Sequence, residues 1–165
     1  MKTLTVFLSI ITIFLLICSI VSAKTVNFVN GIAKINENGG IIKVTIKTTN
    51  YYPGFPYSNG FIWGADEYEK PRLLITDIEI LLKDTKIFVP LSAYCDLANP
   101  SQVELKVINH NSFSLIIYGG DAGVSYITEL IFKDQKIKSR KVAHGEFPNE
   151  AWEKTEYHFI EDKGQ

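Results

Sequence analysis

Apolar and polar residues alternate with a period of two along most of the chain after residue 40. Ile42, Val44 and Ile46 follow the Gly39-Gly40 turn signal and alternate with Lys43, Thr45 and Lys47. That is the pattern of a strand with one buried face. Across residues 72–82, Leu74, Thr76, Ile78, Ile80 and Leu82 fall on one side and Asp77 and Glu79 on the other. Lys83-Asp84-Thr85 reads as a turn, and residues 86–89 as a short return strand stopped by Pro90. Val103, Leu105 and Val107 alternate with Glu104 and Lys106, and Asn109-His110-Asn111 supplies a hairpin turn. Residues 113–118 are almost continuously apolar, which predicts a central strand buried on both faces. Gly119-Gly120-Asp121 breaks it. Strands follow at 124–132 and 136–144 around an Asp134-Gln135 turn, and 155–160 reads as a strand that closes the sheet.

The links between these segments are mostly short and polar or contain Gly. None has the apolar periodicity of a crossover helix, so antiparallel neighbours are expected. Short helical turns are expected at 92–97 and at 148–154, where Pro148, Glu150 and Glu153 suit a helix N-terminus. The pattern predicts an all-β, mostly antiparallel fold. It would be a β-sandwich or open curved barrel of roughly seven to nine strands with one or two short helical turns.

The first 23 residues depart from this pattern. Lys2 precedes the apolar run LTVFLSIITIFLLICSIV, which ends in Val21-Ser22-Ala23. A charged start, an apolar middle and small residues at the end form a signal peptide, here 1–23, with a single β-rich domain at 24–165. The run is near the roughly 20 residues that span a bilayer, so a retained anchor is the alternative. Either way, the rest of the chain is expected outside the cytoplasm, secreted or periplasmic, with membrane contact only through the leader if it stays uncleaved. Lipidation at Cys18 is disfavoured by the bulky Ile17 before it.

Composition narrows the functions. Lys2 is the only charge in the leader, so the mature part carries one cation fewer than the 17 of the full chain, against 18 carboxylates. Such a balance implies no general affinity for nucleic acid. Only Cys95 remains after the leader, so the domain folds without an internal disulfide, and the thiol reads as buried and inert. There is no Gly-x-Ser-x-Gly or Ser-x-x-Lys signature, and no cofactor is implied.

Residues 51–64 interleave aromatics with Pro and Gly and read as a long loop. Tyr51, Tyr52, Phe55, Tyr57, Phe61 and Trp63 are many rings for a solvated loop. They suit a protein or glycan partner, because flat rings bury area at little entropic cost. The alternative is that they fold back and close one end of the sheet. Gly119-Gly120-Asp121-Ala122-Gly123 reads as a turn needing positive φ rather than an anion loop. Lys136, Lys138 and Arg140 share one strand face as a basic ridge, a second expected contact. The following 146–162 stretch is acidic and is the natural neighbour to neutralise it. His144 with Glu146, and Glu156 with His158, are each two apart. An antiparallel register setting His144 opposite His158 would bring all four together as metal ligands.

The leading expectation is an exported non-enzymatic binding module, in one version an inhibitor of an envelope enzyme, that holds a protein or glycan through the aromatic loop. The alternatives are a metal-assisted or acid–base hydrolase using those histidines and carboxylates or Asp121, and a structural subunit joined through an edge strand.

Overall fold

The structure is a computed structural model that describes residues 22–52, 61–66 and 70–160. Ten strands are formed among these residues: β1 (Ser22–Asn27), β2 (Ile32–Glu37), β3 (Ile42–Asn50), β4 (Leu73–Leu82), β5 (Thr85–Ile87), β6 (Pro100–Asn109), β7 (Ser112–Gly119), β8 (Tyr126–Lys133), β9 (Lys136–His144) and β10 (Ala151–Glu156). They build two antiparallel sheets, one of six strands in the order β1-β6-β7-β8-β9-β10 and one of four in the order β2-β3-β4-β5. Among the described residues, helix is confined to three short 3₁₀ turns. The all-β antiparallel expectation holds. Of its two versions, the sheets stand as separate layers and do not close into a barrel.

One continuous core joins the layers. Ile35, Val44, Ile46, Ile78 and Ile80 of the small sheet meet Leu105, Leu115, Ile117, Leu130 and Phe132 of the large one. Removing that much apolar surface from water is the main force holding the layers together. β7 is interior, and Ser114 and Ile116 on its outer face are buried as well, at 1% and 5% exposure. The apolar run therefore has the double burial its sequence predicts. The Asn30-Gly31 turn, with both residues at positive φ, carries the chain from β1 in one sheet to β2 in the other.

β-Bulges correct several expectations drawn from simple alternation. A bulge inserts one residue and reverses which face the following residues take. In β4, Asp77 pairs with Lys47 but Ile75 pairs with Thr48, so Thr76 is the extra residue. Thr76 is exposed, Ile75 enters the main core, and Leu74 packs with Ala98 in a separate small cluster. In β9, Ser139 pairs with Ile131 but Ile137 pairs with Phe132, so Lys138 is the extra residue. In β10, Trp152 is skipped between Ala151 and Glu153.

The C-terminal part departs from expectation in another way. Residues 148–154 do not form a helical turn. A turn at 144–150, with Phe147 N donating to the His144 O and Glu150 N to the Phe147 O, returns the chain as β10 against β9. Ladder bonding to β9 satisfies more backbone than a single helical turn. β10 ends at Glu156, so the strand expected at 155–160 is shifted towards the N-terminus. At 91–97, the turn is a 3₁₀ turn, Leu91–Ala93, followed by an irregular turn. β1 and β2 add to the expected strands: β1 is exposed at most positions, so it carries no apolar alternation. β1 begins at Ser22, two residues before Lys24, and the rest of the expected leader lies outside the described residues.

Candidate functional site: an aromatic row at one end of the large sheet

Three segments distant in sequence place a row of rings together. Trp63 is held by a backbone bridge to the 96–98 segment, its N–H donating to the Asp96 O at 2.8 Å and its O accepting from the Ala98 N at 2.9 Å. The turn beside it needs glycine. Gly64 has φ +80°, and a Cβ there would lie 2.5 Å from Tyr126 Cε1 and 2.6 Å from the Ala98 O. The bulge in β10 sets Trp152 against Trp63, with ring centroids 5.3 Å apart and planes 20° from parallel. Phe61 meets Trp63 at 4.5 Å and 75°, and His144 meets Trp152 at 4.8 Å and 60°. Phe147 continues the row 5.5 Å from His144. Trp63 packs partly into the core, whereas Phe61, Phe147 and Trp152 stay exposed.

The row stands on a buried ionic network. Arg140, 3% exposed, donates from Nη1 to the Ser92 O at 2.9 Å and from Nη2 to Asp96 Oδ2 at 2.8 Å. Glu153 Oε1 lies 3.6 Å from its Nε. The other Glu153 oxygen, Oε2, accepts from Trp63 Nε1 at 3.3 Å, which ties the indole to the network. Burial, and then the Asp96 charge, push the Tyr126 phenol far up, and burial likewise raises Tyr157. The Tyr126 hydroxyl has no hydrogen-bond partner among the described residues.

His144 links the row to the glycine-rich loop. The Glu146 N–H donates to Nδ1 at 3.1 Å, so Nε2 carries the proton and donates to the Gly123 O at 3.2 Å. Beside that loop lie two clefts, of about 440 and 290 Å³, that share Arg72, Asn99 and Asp121. Gly64 and Gly123 both line the second cleft, so the ends of the 51–64 and 119–123 loops meet there. Asn99, at φ +47°, assembles this corner. Its Oδ1 accepts from the Arg72 and Leu73 N–H groups at 2.9 and 3.1 Å, and its Nδ2 donates to the Gly64 O at 2.9 Å. Its own O accepts from the Gly120 N.

The residues expected to bind divide into three groups. Phe61 and Trp63 belong to the row. Tyr51 packs against the small Leu74–Ala98 cluster and Tyr52 is exposed. Phe55 and Tyr57 lie outside the described residues. The basic ridge does not form. The bulge at Lys138 turns Arg140 to the inner face, where its charge is matched by Asp96 and Glu153. Lys138 stays exposed and Lys136 half-buried.

The expected metal register does not form either. Glu156 pairs with Ser139 and the Tyr157 N–H donates to the Lys138 O, which leaves His158 far along β9 from His144. His158 is exposed beside Glu156 at 3.9 Å. Among the described residues, no three metal-ligating side chains gather in one place. Cys95 is buried.

Phe147 and Trp152 belong to the row, although the composition of the 51–64 loop does not single them out. The signal for them is nonetheless present. Residues 144–152 mix aromatics with Gly, Pro and Asn, as 51–64 do. Comparison with protein-family models, curated proteins and solved structures finds no match.

Proposed function

We propose that the protein is an exported, non-enzymatic binding module that engages its partner through the aromatic row. The observation that carries this reading is the exposure of Phe61, Phe147 and Trp152, at 72%, 57% and 48%, around the Trp63–Trp152 stack. Large rings kept in water at a rigid end of a sheet cost solvation and suit an interface. Export rests on the leader at 1–23, which supports a secreted or periplasmic location. Among the described residues, the catalytic alternative has no comparable arrangement. Both His144 ring nitrogens are engaged by backbone, and His158 stands apart from it.

The test uses protein recovered from the exported fraction, where its mass is expected to start at Lys24. It is applied to arrays of peptides and of oligosaccharides. Binding on either array is expected to fall at least about tenfold in Phe61→Ser/Trp152→Ser, with the thermal melt little changed. Unchanged binding by that double variant, or no binding by the parent chain, rejects the reading.

A further inference from the structure

Resting on the binding-module reading, we propose that the partner is a protein surface carrying Arg and Lys around apolar pockets, and not a glycan. Two independent features of the row point there.

The first is the shape of what the rings offer. A sugar stacks its flat face on a broad, open ring plane. Here, the Trp63–Trp152 stack uses one face of each indole, and Phe61 and His144 stand against them at 75° and 60°. What reaches solvent is a set of separate projections: Phe61 at one end, Phe147 at the other and the outer part of Trp152 between them. Projecting aromatics of this kind fill pockets on a protein partner, and their low conformational entropy favours such anchoring.

The second is charge. Glu146 and Glu150 flank Phe147 on the 144–150 turn, and Asp121 belongs to the loop that His144 holds. All three are exposed, and none makes an ion pair among the described residues. Arg140 is buried against Asp96 and Glu153, whereas Lys141, whose Nζ donates to the Pro148 O at 2.9 Å, keeps its charge beside the turn. Lys70 and Arg72 line the neighbouring cleft together with Asp66 and Asp121, so Asp121 is matched there. The Phe147 side of the row keeps Glu146 and Glu150 against Lys141 and is therefore net negative. That field attracts a cationic surface, repels an anionic glycan and gains nothing from a neutral one. Arg is well suited to the partner's side, because its guanidinium both pairs with carboxylates and packs on aromatic rings.

The test is an array of immobilised short peptides graded in net charge and aromatic or aliphatic content, beside an array of neutral and anionic oligosaccharides. The purified protein is applied to both at low and at raised salt. The expected result is selective binding to cationic peptides with apolar residues, weakening as salt rises. Glu146→Gln/Glu150→Gln is expected to reduce it about tenfold at low salt and to flatten the salt dependence, with an unaltered melt. Equal binding by that variant, or peptide binding indifferent to charge, overturns the assignment. Binding to oligosaccharides alone also overturns it, while leaving the binding-module reading in place. Failure on both arrays removes that reading itself.

Discussion

Arg140 shows how much one side chain can organise here. A guanidinium taken out of water costs several kcal/mol unless paired and hydrogen-bonded. Arg140 meets that cost with Asp96, Glu153 and the Ser92 carbonyl, and so locks the 92–96 turn and β10 to β9. Arg140→Met would leave both carboxylates without their cation. The expected loss is about 3–5 kcal/mol, read as a lowered urea midpoint. Tyr126→Phe, which removes a buried hydroxyl without a partner, is the contrast and should lose far less. This residue also marks a limit on reading the sequence. Lys136, Lys138 and Arg140 look equivalent by spacing, yet only Arg140 points inward. No property of the three residues themselves reveals that, because it depends on the partner strand.

At the scale of elements, the same limit has one physical source. β3, β4, β6, β8 and β9 were legible because each has one apolar face, and β7 because its run is apolar on both. Bulges were not, since a bulge is a mismatch of count between two strands and neither strand shows it alone. The bulge at Lys138 should be a matter of length and not of chemistry. Lys138→Ala is expected to change stability by no more than about 0.5 kcal/mol. Deleting Lys138 removes the extra residue and leaves Ile137 and Ser139 opposite Phe132 and Ile131 in a regular ladder, with Ile137, Arg140 and Val142 still facing inward. The expected outcome is a retained cooperative melt, followed by circular dichroism; loss of cooperativity would contradict it. The aromatic row was half legible. The 51–64 composition points to Phe61 and Trp63, whereas their partner Trp152 is 89 residues away from Trp63 and arrives only through the β9–β10 pairing.

For the whole molecule, alkaline pH gives the clearest response. Burial, with the Glu104 carboxylate accepting the phenol's hydrogen bond at 2.8 Å, pushes Tyr118 up to about 12. Burial raises Tyr126 and Tyr157 too. In each case, the folded state favours the neutral phenol more than the unfolded chain does. Their contribution to stability is therefore complete below the ordinary phenol value near 10. It is lost as pH rises through the higher folded values. Phenolate absorbance should thus show tyrosines that ionise only together with unfolding. Full ionisation of all 8 tyrosines with native circular dichroism retained would contradict this. The two-layer class was readable from strand pattern and short links. The division into six and four strands was not, because it turns on β1 and β2 joining different sheets across one tight corner.

Of the two edge strands of the large sheet, β10 has one further consequence. β10 is interrupted at Trp152, and it carries Glu153, Lys154 and Glu156 along its short length. A second molecule seeking to dock its own backbone there finds no straight, uncharged ribbon to extend. The irregularity that exposes an indole also guards against polymerisation. A protein with so many rings in water is thereby kept from stacking into fibres through this margin.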